Sequence, residues 1–140
     1  VPSEAARLAQ AEDEDSLRRA LELDPRQSDA AIKLARILLA SGESEEARTL
    51  LGPLEADFTA SGLLARMELS DDADLSPAFD AWDRGEHEAA LEGLQEEIAS
   101  SEDAERTDLL RRVMVAIFTE LGPGSELARE HRRRLAAAIV

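Results

Sequence analysis

The chain has 140 residues, with 31 acidic side chains against 16 basic ones and no cysteine, for a net charge of −15. That excess argues against broad affinity for nucleic acid or an anionic membrane, whose phosphates most of the surface would repel; the missing thiols exclude disulfides and cysteine chemistry. No apolar run approaches the roughly 18 residues of a membrane span, and no signal peptide opens the chain.

Leucine and alanine carry the apolar content, and the aromatics are only Phe58, Phe79, Trp82 and Phe118. That mixture suits closely packed helices better than a sheet rich in Val, Ile and Tyr. Residues 2–11 form the first predicted helix, with Ala5, Ala6, Leu8 and Ala9 as a modest apolar stripe, and 12–15 an acidic connector. A second helix over 16–23 presents Leu17, Ala20, Leu21 and the nearby Leu23 as an apolar ridge, and Asp24-Pro25 ends it. The third, over 28–40, places Ala31, Leu34, Ala35 and Leu38 on one face and is closed by Ser41-Gly42. The fourth opens at Ser44, presents Ala47, Leu50, Leu51 and Leu54, and should end early or kink at Gly52-Pro53.

A fifth helix over 58–69 turns Leu63, Leu64 and Met67 inward, together with Phe58. After a polar break at 70–74, Ser76-Pro77 reads as cap and first helical residue of a sixth, with Ala78, Phe79, Ala81 and Trp82 apolar. Residues 86–99 form the next helix, burying Ala89, Ala90, Leu91, Leu94 and Ile98. The last third is the strongest pattern. From residue 103, Leu110, Val113, Met114, Ile117, Phe118 and Leu121 recur at three- and four-residue steps, with Leu109 widening the stripe. Gly122-Pro123-Gly124 stops that helix and Ser125 caps the final one. There Leu127, Ala128, His131, Leu135, Ala138 and Ile139 lie on one side, Arg129, Arg132 and Arg133 largely on the other. No strand is predicted.

Two turns echo each other, Ser41-Gly42-Glu43-Ser44-Glu45-Glu46-Ala47 and Arg84-Gly85-Glu86-His87-Glu88-Ala89-Ala90. Each joins two amphipathic helices through a glycine, with an alanine five residues on where the helices must cross closely. With Leu23-Asp24-Pro25 closing an earlier pair, this is the tetratricopeptide pattern of glycine turn, alanine contact and proline stop, made degenerate by the extra helix at 58–69. The predicted fold is therefore all-α: a right-handed α-solenoid of stacked helix hairpins, with 1–140 as one domain.

The chain also resembles the C-terminal helical domain of bacterial thioredoxin-like co-chaperones, the chaperedoxins. The stretches that carry the resemblance are Ala116-Ile117-Phe118-Thr119-Glu120-Leu121-Gly122 and Leu127-Ala128-Arg129-Glu130-His131-Arg132-Arg133-Arg134-Leu135-Ala136. The family usually has an aromatic where His131 stands, a departure that fits a buried or half-buried side chain. The resemblance implies an N-terminal thioredoxin-fold domain upstream of Val1, which suits a chain that starts without Met. It also implies a bacterial, cytoplasmic protein that holds unfolded clients and passes them to the chaperonin or a DnaK-type chaperone. The other open reading is a tetratricopeptide-like scaffold in an unrelated bacterial assembly.

Two surfaces are candidates for protein partners. Residues 106–140 hold seven arginines against four acids, so this end is positive while 1–105 is strongly negative. Arg129, Arg132, Arg133 and Arg134 form the first candidate, because guanidinium forks suit carboxylates on an acidic partner. They would equally complement the helix dipole or pair with the protein's own acidic helices. In the resembling family this terminal helix is thought to dock on the chaperonin. The second candidate is Asp29, Ile32, Arg36 and Leu39, on the side of their helix away from its contact alanines, where a solenoid's concave groove would lie. No catalytic constellation, metal site or cofactor loop is readable. His87 and His131 are far apart, and the acidic runs lack the glycine and terminal glutamate of a calcium loop. His131 reads as a packed core histidine.

Overall fold

The computed structural model describes residues 3–139; Pro2, expected in the first helix, lies outside them. All regular structure among the described residues is helical, and contacts gather in two compact units, one running to Glu55 and the other starting at Ala56. The sequence reading treats 1–140 as one domain, whereas each of these units has a buried core of its own.

The first unit holds α1 (Glu4–Leu8), α2 (Glu14–Leu23), α3 (Ser28–Ala40) and α4 (Ser44–Leu51). Ser3 caps α1 by accepting from the Ala6 N–H at 3.0 Å. The acidic run at 12–15 is more than a connector. Asp13 accepts from the Ser16 N–H at 2.9 Å and caps α2, while Glu14 and Asp15 occupy its first turn, where the helix dipole favours negative charge. That bond holds the Asp13 carboxyl below the usual carboxylate range. Gly52–Leu54 tightens into a 3-10 turn where Pro53 breaks the ladder of α4. The buried core is seven alanines (Ala5, Ala9, Ala20, Ala30, Ala31, Ala35, Ala47) and four leucines (Leu17, Leu34, Leu38, Leu51), small enough for the helices to approach closely.

The second unit holds α5 (Phe58–Glu68), α6 (Ser76–Asp83), α7 (His87–Ser100), α8 (Ala104–Leu121) and α9 (Glu126–Ala138), with a 3-10 turn at Ala73–Leu75 before α6. Its core is larger, built on Leu63, Trp82, Leu91, Leu94, Leu110, Met114, Ile117 and Phe118. The most extensive helix pair is α5 against α8. A Cβ on Gly62 would sit 2.2 Å from the Ala116 Cβ and 2.7 Å from the Arg112 carbonyl oxygen, so only glycine permits that crossing. Arg112 fastens the same junction, donating to the Ser61 hydroxyl at 2.9 Å and the Ser61 carbonyl at 3.0 Å.

The echoed turns have one geometry. In the first, Glu43 N–H donates to the Leu38 carbonyl at 2.8 Å and Gly42 N–H to that of Leu39 at 3.2 Å; in the second, Glu86 N–H reaches Ala81 at 2.8 Å and Gly85 N–H reaches Trp82 at 2.9 Å. Both are Schellman caps, with Gly42 at φ 84° and Gly85 at φ 77°, the left-handed region that costs other residues most. The alanine five positions on, Ala47 or Ala90, is fully buried in each.

Five expectations fail. Leu23, the last residue of α2, is exposed and takes no part in the buried ridge of Leu17 and Ala20. Phe58 is 66 % exposed: it opens α5, and a first-turn side chain leans toward the helix N-terminus. Ala89 lies at the edge of the buried stripe of α7 (Ala90, Leu91, Leu94, Gln95, Ile98) and is exposed. Ala138 and Ile139 are exposed because the buried side of α9 ends at Leu135. Ser76 is not the cap of α6; it lies inside the helix, and Leu75 takes the N-cap position without a side-chain bond.

Candidate functional site

Asp29, Ile32, Arg36 and Leu39 recur at three- and four-residue steps along α3, opposite its buried face of Ala30, Ala31, Leu34, Ala35 and Leu38. Asp29 is exposed and the other three are half-buried. They therefore form a stripe in which charged and apolar residues alternate, exposed at Asp29 and half-buried beyond it.

The four arginines of α9 are divided. Arg134 grips Glu92 of α7 with two bonds, 2.7 and 3.2 Å, and these hold the Glu92 carboxyl below the usual carboxylate range. Arg132 lies over the Phe118 ring of α8, 5.2 Å from its centroid, a stacking that covers the apolar face and keeps the charge outward. Arg129 and Arg133, one turn apart and exposed, line a shallow trough of about 520 Å³ with Glu126, Leu127 and Glu130. No ion pair links these groups among the described residues, so their charges face solvent. The trough is of mixed sign, with two carboxylates interleaved between two guanidinium groups. The strip therefore carries no net charge, and what it presents is an alternation of sign along the helix.

Several polar assemblies escape sequence reading because their members are distant in the chain. Glu120, near the end of α8, accepts from the Trp82 indole N–H at 2.7 Å and lies 3.1 Å from His87 Nε2. Arg66 makes two bonds of 2.7 Å to Asp83 and lies over the rings of Phe79 and Trp82. Arg106 ties Asp72, at 2.9 and 3.1 Å, to Glu97, at 2.6 Å. Each joins successive helices of the second unit and leaves few donors free to meet a ligand; their work is registry. Sequence spacing signals only short-range pairs such as Arg18 with Glu14.

In the first unit a cleft of about 170 Å³ is lined by residues of α2, α3 and α4 and by the turns at Pro25 and Pro53. Its walls include Leu21, Ala31, Leu50 and Leu54, with Arg26 the one charged lining residue among the described residues. Among the described residues there is no group of three or more side chains able to hold a metal ion, and no helix long and apolar enough to cross a membrane.

The two candidate surfaces are thus stripes on the outer sides of α3 and α9. Two family models match the chain, both described as tetratricopeptide repeat, one over residues 4–67 and one over 65–139. No curated protein and no solved structure matches it. The twin glycine caps, the buried alanines that come after them and matches running nearly end to end agree: this chain belongs to the tetratricopeptide repeat family.

Proposed function

We propose that this protein-interaction module is the client-handling domain of a thioredoxin-like co-chaperone, which holds unfolded proteins and passes them to a chaperonin or a DnaK-type chaperone in the bacterial cytoplasm. Tetratricopeptide repeats are protein-interaction modules, generally scaffolds without catalysis of their own. The finer reading rests on the two stretches of α8 and α9 that resemble the chaperedoxins, and on an upstream thioredoxin-fold domain that this resemblance implies. The observation that carries it is the trough on α9. Among the described residues Arg129 and Arg133 lie exposed with no carboxylate partner, inside the very stretch that bears the resemblance. Arg132 completes that outer side, whereas Arg134 is engaged by Glu92 and contributes less.

On this reading α9 docks on the large chaperone, and the α3 stripe of Asp29, Ile32, Arg36 and Leu39 meets the extended client. The experiment is a pull-down of purified chaperonin by the 140-residue chain and by a variant carrying Arg129→Glu and Arg133→Glu. Capture should fall at least tenfold in the variant while its circular dichroism stays unchanged. Equal capture, or no capture by either protein, would sink the co-chaperone reading and leave a repeat scaffold for some other assembly.

A further inference from the structure

The histidine in the middle of α9 is an anomaly of packing. His131 has no exposed surface, and neither ring nitrogen has a hydrogen-bond partner. A buried polar atom left unpaired is costly, and most native structures avoid it. Here it sits in a narrow seam, because the buried side of this 13-residue helix consists of Ala128, His131 and Leu135 alone. The buried part of the docking of α9 on α7 and α8 is therefore one leucine, one alanine and one imidazole, beside the outer contacts of Arg134 with Glu92 and Arg132 with Phe118.

We propose that His131 makes the docking of α9 proton-dependent: the terminal helix is seated while the imidazole is neutral and is released as the imidazole gains a proton. The neutral ring is compatible with an apolar seam, whereas an imidazolium there would lack both hydration and a full set of acceptors. Charged groups act on the ring from two helices. From α7, Glu92 Oε1 lies 3.4 Å from Nε2, with Glu88 also acting on the ring. From α9 itself come Arg134 and Glu130. From α8 the neighbouring side is apolar, with Phe118 under Arg132. Glu92 is the natural host for an imidazolium, but Arg134 already holds both of its oxygens. A proton at Nε2 would add a second cation to a carboxylate that Arg134 already neutralises, and the proton at Nδ1 would still have no acceptor. Burial, followed by the Arg134 charge, pushes the His131 imidazole below its ordinary range, in the same sense as the geometry.

Linkage fixes the direction of the effect. A base whose folded pKa is depressed favours the seated state fully above its free pKa, about 6.5 for histidine. That preference is lost as pH falls from there toward the folded value. Within that window the equilibrium for opening α9 rises by up to about tenfold per pH unit.

The test is amide hydrogen exchange on the 140-residue chain between pH 7.5 and 5.2, corrected for intrinsic exchange and read separately for α8 and α9. That range leaves Glu92 ionised. Protection of α9 should fall threefold or more from pH 7.5 to 5.2 while the centre of α8 holds, and His131→Leu should abolish the fall. Constant protection of α9, or a fall that persists in His131→Leu, would overturn the proposal. Should His131→Leu not fold, the ring resonances of the native protein decide. A His131 midpoint below the free-imidazole value of about 6.5, coincident with loss of α9 protection, supports release; an imidazolium formed with α9 still protected refutes it.

Discussion

Gly62 and Gly52 show how much one missing methyl group can decide. At Gly62 an added Cβ would overlap Ala116 and the backbone of α8, and neither can retreat without parting the two helices. Gly62→Ala should therefore lower the unfolding free energy by about 1–3 kcal/mol, the usual cost of overpacking a tight core. Gly52 has a right-handed backbone, φ −49°, and open space around the position of its absent Cβ. Gly52→Ala should gain little, because Pro53 disfavours a helical backbone in a preceding residue that carries a Cβ, which offsets the restriction of the unfolded chain. Urea denaturation of both variants checks the pair, and a smaller loss at Gly62 than at Gly52 would contradict the packing described for α5 and α8. His131 belongs to this scale too. Its burial was legible from its place on an apolar stripe, but its two unpartnered nitrogens were not, since they depend on the groups that α7 and α8 present to it.

At the scale of elements, helix placement was legible almost throughout because leucine and alanine spacing, caps and stops agree. The α3 bounds, Ser28–Ala40, are those expected, and Gly52-Pro53 ends α4 as expected. The misses fall at ends, where a helical period no longer says what lies beyond the last turn: Phe58 at the start of α5, Ala138 and Ile139 at the close of α9. The paired turns make a sharper statement. Gly42→Ala and Gly85→Ala would force an L side chain into the left-handed region, costing about 1–2 kcal/mol each. Thermal melts should show both variants destabilised, with Gly→Asn less so at each site because asparagine tolerates that conformation. Unchanged melting of the alanine variants would mean the caps are not required. The four arginines of α9 mark the limit of reading at this scale. Their clustering in sequence says nothing of which is held by Glu92, which is stacked on Phe118, and which remain outward.

At the scale of the molecule, the repeat matches and the packing divide the chain at different places. The matched segments meet at residues 65–67, inside α5, whereas the compact units part between Glu55 and Ala56. Packing places α5 with the later helices, because α5 covers the face of α8 that carries Ala116. A fragment of residues 56–140 should thus melt cooperatively on its own, and one of 69–140 should not, since α8 would lose its most extensive partner. Circular dichroism melts of the two fragments decide it; equal cooperativity would place the boundary at the repeat and not at the packing. The sequence by itself determined that this chain is a tetratricopeptide array of helix hairpins, since the period of its apolar residues and the chemistry of its glycine turns are local properties that few other folds satisfy. Only the tertiary structure decided which helix serves as partner to α8, which arginines face solvent and that a histidine in the last seam has no hydrogen bond. Those depend on distances between residues tens of positions apart, which no local period encodes.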